Sequence, residues 1–247
     1  VLKKVSSAAL ALLALAAAAA AYTDLSLLVR AEIQPDGSAL VGEEVRVALN
    51  NQQELESFDY YATLGDVPLT EWKRFSDRVS YHFNGPILKT SIQASRDYTT
   101  GISVGRILVE YLVNTTLVRS AHTGPRTTTH TLTNEYFGFE RGGGGASVLP
   151  TRATLTLVLP AGAVLKKAVP EPSERRGGEL SWTGPLAANW LVEYEVEKPL
   201  TEEVSEYFEG LYRSLLSPSQ LPVTLLALAL LAGGALYLWD RHGKRAA

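Results

Sequence analysis

Apolar and polar residues alternate along most of the chain between residues 22 and 200. Leu25, Leu27, Val29, Ala31 and Ile33 are separated mainly by polar residues. Pro35-Asp36-Gly37-Ser38 follows, and Val45, Val47 and Leu49 then alternate with Glu44 and Arg46. A period of two puts every second side chain on one face of a strand. Proline presets φ before a bend and glycine accepts a positive φ after it, so the segment predicts a hairpin. The same pattern predicts strands at Val79-Tyr81-Phe83, Leu88-Thr90-Ile92-Ala94, Ile107-Val109-Tyr111-Val113, Ala153-Leu155-Leu157-Leu159 and Trp190-Val192-Tyr194-Val196. The last turns Glu193, Glu195 and Glu197 to the opposite, wetter face. A Thr-rich stretch covers Thr127 to Thr133. Strands of this number, with Gly/Pro punctuation, predict a mainly β protein built as an antiparallel β-sandwich, one large or two small. A run of four glycines within Arg141 to Ser147 is the place for an internal boundary or a mobile loop.

The period changes twice, at the two ends. Ala8 to Ala21 is an Ala/Leu run behind Lys3 and Lys4, with polarity beginning at Tyr22-Thr23-Asp24. A basic start, a short apolar run and small residues before the polar region read as a secretory signal over 1–21. Val1 in place of Met reads as an alternative start codon, and the chain as the unprocessed precursor. From Thr201 to Leu216, Val204, Tyr207, Phe208, Leu211, Tyr212 and Leu215 fall at helical spacing on one face. Thr201 suits an N-cap, Glu202 and Glu203 suit the positive end of the helix dipole, and Ser217-Pro218 stops the helix. This predicts an amphipathic juxtamembrane helix over 200–217. Its stripe is a candidate partner-docking face or a face packed on the sandwich.

Leu221 to Trp239 is an uncharged run of 19 residues. At about 1.5 Å per residue it reaches roughly 28 Å, the thickness of a bilayer core. Arg241, Lys244 and Arg245 follow in a basic tail over 240–247, which the positive-inside rule keeps cytoplasmic. The expected layout is a cell-membrane protein with residues 22–199 as an extracytoplasmic domain, a single helix over 221–239 and a cytoplasmic C-terminus. Ala229 and Gly233 form a small-xxx-small pair, a candidate helix–helix contact.

Composition refines this layout. Cysteine is absent, so disulfides and thiolate metal sites are excluded; methionine is absent too, which fits a hot or oxidising habitat. Residues 22–220 hold 25 acidic and 18 basic side chains, a net charge of −7 that argues against nucleic-acid binding. Lys166-Lys167 and Arg175-Arg176 are a minor basic patch best read as solvated surface.

The chemistry-bearing candidates are few. Gly101-Ile102-Ser103-Val104-Gly105 matches G-x-S-x-G, with Asp97, His122 and His130 as notional partners. That motif works through a strand-to-helix elbow, whereas Arg106 to Val113 reads as a strand, so a hairpin turn accounts for the glycines better. The histidines (His82, His122, His130, His242) lack metal-ligand spacing and read as exposed strand or loop residues. Glu43-Glu44 reads as a solvated strand face. No phosphate, dinucleotide or calcium loop is present, so neither a cofactor nor an enzymatic activity is expected. Asn114-Thr115-Thr116 is a glycosylation sequon, making Asn114 a candidate modification site. Tyr60, Tyr61 and Trp72 are the aromatics an envelope- or carbohydrate-binding module would use, though core positions suit them better.

The stretch Asp36-Gly37-Ser38-Ala39-Leu40-Val41-Gly42-Glu43-Glu44 resembles the opening hairpin of an uncharacterised, archaeal-type family of prokaryotic membrane-anchored surface proteins. Leu159-Pro160-Ala161-Gly162-Ala163, with Pro170-Glu171-Pro172 and Leu180-Ser181-Trp182, is similar to sandwich modules of archaeal cell-surface proteins. The resemblance implies a signal peptide and a β-sandwich ectodomain; it assigns no functional residue. In layout alone the chain is also similar to ribophorin, the lumenal β-rich subunit of oligosaccharyltransferase. The expected function is binding or scaffolding: a cell-surface protein, or an accessory subunit of a membrane complex, with a protein partner in the membrane or envelope. The competing expectations are a surface serine hydrolase using Ser103 and an envelope- or carbohydrate-binding module.

Overall fold

The structure is a computed structural model, and it describes residues 22–99, 101–114, 117–124, 126–198, 204, 208–210, 212 and 213. The chain clusters into two compact units, Val1–Val196 and Glu197–Ala247. The first is mainly β. Its largest sheet has seven strands, in the order β10-β11-β8-β1-β2-β4-β3. In chain order these are β1 (Thr23–Ile33), β2 (Ala39–Leu49), β3 (Ile87–Thr99), β4 (Ile102–Val113), β8 (Ala153–Val158), β10 (Glu174–Arg176) and β11 (Glu179–Thr183). A four-stranded sheet runs β5-β6-β13-β9, from Arg119–His122, Thr127–Thr133, Leu191–Glu197 and Val164–Val169. A two-stranded ribbon joins β7 (Ser147–Leu149) to β12 (Leu186–Ala188).

Alternation decides the faces as expected. On β1, Leu27, Val29, Ala31 and Ile33 are buried, and on β8 Ala153, Leu155 and Leu157 are buried between half-exposed neighbours. The hairpin joining β1 to β2 closes on Gly37, at φ 82°, and Asp36 accepts hydrogen bonds from the Ser38 amide and hydroxyl. The large sheet departs from a purely antiparallel one at a single ladder: β1 pairs β8 in parallel, Leu27 opposite Ala153 through Glu32 opposite Val158. Buried residues from all three sheets, Leu155, Leu149 and Val192 among them, belong to one core. Residues on both sides of the glycine run belong to it too, and Gly143–Gly145 forms a single tight turn.

One expectation fails locally, and one element was not anticipated. Val79-Tyr81-Phe83 is not a strand; only Phe83 makes a bridge, to Phe137. Gln52–Thr63 is a helix, α1, which period-two reading passes over. Asn51 caps it by accepting from the Glu54 amide at 2.9 Å, while Glu54 reaches back to accept from the Asn50 amide at 2.6 Å and from the Asn51 side chain. That reciprocal arrangement is a variant of the capping box, with the Asn50 amide in place of the N-cap amide, and Asn51-x-x-Glu54 was its visible signal. A short second helix, α2 (Leu69–Trp72), follows.

The seating of α1 explains one of the two glycines in the G-x-S-x-G match. Gly101, at φ 82°, makes the β3–β4 turn as the hairpin reading expects. Gly105 does not: it lies inside β4, and a Cβ there would stand 2.6 Å from the Phe58 ring. Phe58 is fully buried, edge-on to Trp72 and Phe75. Gly105→Ala is therefore expected to push α1 off the sheet, at a cost of about 1–3 kcal/mol for overpacking. Urea unfolding of the purified protein checks this, and an unchanged midpoint would refute it.

The apolar run over 221–239, with Ala229 and Gly233, and the signal segment over 1–21 lie outside the described residues. Among the described residues no helix is long and apolar enough to cross a membrane. In the second unit, Val204, Phe208 and Tyr212 are helical and exposed, and Arg213 pairs with Glu209 at 3.6 Å. Tyr207, Leu211 and Leu215 lie outside the described residues.

Candidate functional site

The residues singled out for chemistry in the sequence do not come together as a site. Ser103 sits in β4, opposite Leu49 on one side and Tyr98 on the other. Asp97 is on β3, opposite Val104, while His122 and His130 belong to β5 and β6 of another sheet. His122 and His130 bond instead to Thr128 and Ser120, and burial holds the His130 imidazole below its ordinary range. The strand after Ser103 removes the elbow that a G-x-S-x-G nucleophile requires. Trp72 is 3% exposed and Tyr61 half-buried, so both are packing residues, while Tyr60 is exposed. Lys166, Arg175 and Arg176 pair with Glu195, Glu171 and Glu174. Asn114 is exposed at the end of β4.

The unexpected constellation centres on Glu43, which the solvated-face reading misplaced. Glu43 is 1% exposed. It shares its parity on β2 with Val41, Val45 and Val47, and this parity was the available signal that it points into the core. A buried carboxylate needs donors, and Glu43 has three. The His82 amide donates to Oε1 at 2.8 Å, the His82 ring Nδ1 donates to Oε2 at 2.6 Å, and the Tyr111 hydroxyl donates to Oε1. His82 lies 39 residues away and Tyr111 lies 68 away, so no local spacing announces the cluster. Burial, and then the Glu43 charge, push the Tyr111 hydroxyl well above its ordinary pKa.

His82 is equally corrected: it is buried, not exposed. Its ring lies 4.9 Å from that of Phe139, and its carbonyl accepts from the Gly138 amide at 2.8 Å. With Nδ1 committed to Glu43, the ring presents Nε2, which stands 3.5 Å from the Ser80 Oγ. Both side chains line a cleft of about 330 Å³ together with Asp24, Asp77, Arg78 and Glu140. Arg78 Nε pairs with Asp24 Oδ2 at 3.2 Å, while Arg78 Nη1 is buried with no hydrogen-bond partner.

Glu44 faces the other side of the sheet. It accepts from Arg46 at 2.6 Å and from Arg106, the cross-strand partner of Arg46, at 2.5–2.6 Å. One carboxylate thereby offsets the repulsion of two facing guanidiniums, a structural task rather than acid/base work.

A second feature runs along the margin of the large sheet. β3 has 13 residues and, among the described residues, ladders only with β4, so it stands at the edge of the described sheet. Its first part carries an irregularity between Leu88 and Ser91, with Lys89 at φ 52°. From Ser91 to Thr99 pairing with β4 is regular. Two adjoining depressions, of about 250 and 510 Å³, follow this strand. Ile92 lines both, Ala94, Tyr61 and Trp72 the first, and Leu69, Tyr81 and Thr90 the second. Among the described residues no group of His, Asp and Glu side chains could hold a metal ion.

No protein-family model and no curated protein matches the sequence. Among solved structures, the chain is similar to the folded domain of LppM from Mycobacterium tuberculosis, determined by NMR. The identity is 14%, over 74% of this chain and 97% of that one, with a TM-score of 0.31. That score is too low to show a shared fold.

Proposed function

We propose that this protein is an exported, single-pass membrane protein whose β-sandwich ectodomain binds a protein partner of the cell surface or of a membrane complex. The partner contributes an extended segment that adds to the edge of β3. One observation carries this reading: a long edge strand, regular from Ser91 to Thr99, bordered by two depressions of mixed polar and apolar lining that share Ile92. A free edge offers unpaired backbone donors and acceptors, and natural proteins usually shorten, twist or charge such edges. Here the start of β3 is irregular and carries Lys89, and Arg96 and Asp97 sit toward its end, while Ser91 to Ser95 is regular and uncharged. Strand addition takes affinity from backbone hydrogen bonds and specificity from pockets that receive alternate side chains. Depressions at successive stretches of the strand, Thr90–Ile92 and Ile92–Ala94, suit a segment whose alternate side chains enter them, small apolar or polar-tipped ones matching the mixed lining. The signal-like and membrane-length segments of the sequence support export and anchoring.

The test places a photo-crosslinking residue at Gln93, exposed on β3, in the full chain in native membranes. The expected result is crosslinking to one membrane or surface protein, with the adduct in an extended segment. Ile92→Glu, which sets a charge in both depressions, is expected to lower its yield at least tenfold while the circular dichroism spectrum is unchanged. Recovery of the protein uncrosslinked, or an unaltered yield in Ile92→Glu, would overturn the proposal.

A further inference from the structure

The geometry of the cleft points to a second activity: we infer that Ser80 is a nucleophile for acyl transfer from small esters, with His82 as its base and Glu43 as the residue that orients the base. The inference is independent of strand addition at β3 and uses a different face of the molecule's chemistry. Three relations carry it. The base–orienter hydrogen bond is formed, His82 Nδ1 to Glu43 Oε2 at 2.6 Å. The nucleophile faces the other ring nitrogen, Ser80 Oγ to His82 Nε2 at 3.5 Å, a looser contact of the kind that tightens when substrate is bound. Both reactive atoms belong to residues that line one cleft, so substrate can reach them.

Glu43 and Tyr111 are positioning residues. Glu43 accepts from the His82 amide and the Tyr111 hydroxyl, so two donors besides the imidazole fix its carboxylate. A carboxylate on Nδ1 selects the tautomer with a lone pair on Nε2, which is the tautomer a base requires. Arg78 supplies what the serine and histidine lack. Arg78 lines the same cleft and its buried Nη1 has no hydrogen-bond partner, so a shift of the guanidinium as substrate binds would turn an unsatisfied donor to an oxyanion.

Ser80 Oγ bonds to the ester carbonyl carbon as its proton passes to His82 Nε2, and the carbonyl oxygen becomes an oxyanion facing Arg78. Collapse breaks the bond to the alkoxy group, which leaves as the alcohol with the proton from His82. Water then attacks the acyl-serine and gives a proton to His82; collapse breaks the acyl–Oγ bond, His82 returns that proton to Ser80 Oγ, and the carboxylic acid leaves. The cleft is of a size for a small acyl group. With Asp24 paired to Arg78, Asp77 and Glu140 leave the wall acidic, which disfavours anionic acyl groups and favours neutral or amine-bearing esters.

The absence of cysteine makes the test selective. Full-length protein in detergent is treated with a neutral fluorophosphonate, and the adduct is located by mass spectrometry. The expected adduct is on Ser80, absent in Ser80→Ala and undiminished in Ser103→Ala, with hydrolysis of p-nitrophenyl acetate falling at least a hundredfold in Ser80→Ala. In parallel, Ser80→Cys carries the only thiol, and iodoacetamide is expected to alkylate it at least tenfold faster at pH 7 than Ser95→Cys on exposed β3. Its rate is expected to titrate well below the free-thiol value of about 8.5. No adduct at Ser80, or a Ser80→Cys thiol that titrates as an ordinary one, would overturn the inference.

Discussion

Glu43→Ala is expected to destabilise the protein more than any other single polar substitution, by about 3–5 kcal/mol. The substitution strands the His82 amide, the His82 ring and the Tyr111 hydroxyl in a core from which water is excluded. Each bond to a charged acceptor contributes roughly 1.5–3 kcal/mol, and removing one partner of a buried network leaves the desolvation cost of the others uncompensated. For a domain of this size about 1 kcal/mol moves Tm by roughly 2–4 °C, so a fall of about 10 °C is expected in a calorimetric scan. Glu43→Gln keeps the volume and one acceptor oxygen and is expected to cost about half as much. A Tm within about 2 °C of wild type for Glu43→Ala would mean that the cluster is solvated.

The same cluster predicts an alkaline limit. The Tyr111 hydroxyl is raised by burial and by Glu43, so its folded pKa lies above that of the unfolded chain. Stability from this group is fully present below the unfolded value of about 10. As pH rises past that value the unfolded chain loses a proton that the folded protein keeps, and stability falls. Tyr111→Phe removes the titrating group, so its loss of stability above pH 10 is expected to be shallower, even though its stability at pH 7 is lower by about 1–3 kcal/mol. Urea midpoints at pH 7 and pH 10.5 for the two proteins separate these effects. Equal alkaline slopes would refute the assignment.

Trp182→Ala is the largest effect expected of an apolar side chain, again about 3–5 kcal/mol. Trp182, on β11, is fully buried; its indole N–H donates to the Pro170 carbonyl at 2.9 Å. It meets the Trp190 ring edge-on at 5.2 Å, and Trp190 in turn packs on Phe137 and donates to the Ser147 carbonyl. The pair therefore ties the end of the seven-stranded sheet to the segments that lead into β7 and β13. Because the two indoles share a contact, Trp182→Ala and Trp190→Ala are expected to be non-additive, the double variant losing less than the sum by about 0.5–1.5 kcal/mol. Denaturant unfolding of the four proteins measures this; strict additivity would show that the rings act separately.

Much of the fold was legible in the chain because a period of two reports the face of a strand directly. Leu27 through Ile33, Ala153 through Leu159, and Trp190 through Tyr194 bury the residues that alternation assigns to the core. Val79-Tyr81-Phe83 shows the limit of that signal. Its apolar residues alternate, and Val79 and Phe83 are buried, yet the segment makes one isolated bridge, Phe83 to Phe137, flanked by bonds from Gly138 to the His82 carbonyl and from Asn84 to the Tyr136 carbonyl, while the His82 amide goes to Glu43. Burial of alternate residues needs a surface to pack on; it does not need a ladder. The α1 helix was hidden for the opposite reason. Its weakly apolar sequence lacks a strong stripe, and its start was written only in Asn51 and Glu54.

The candidate sites divide along the same line. Glu43 was placed on a wet face because glutamate is usually exposed, although its parity with Val41 and Val45 put it inside. Gly101-x-Ser103-x-Gly105 drew notice by spacing, yet one glycine serves a turn and the other makes room for Phe58. By itself, then, the sequence determined where most of the long strands run, which face of each is apolar, and that no thiol chemistry is available, because these depend on composition and on neighbours a few residues apart. Only the tertiary structure decided that β1 lies parallel to β8, that β3 is left as an edge, and that Ser80, His82, Glu43 and Tyr111 meet. Those outcomes depend on which strands become neighbours, and hydrophobic burial, being non-directional, specifies a face but not the strand beside it.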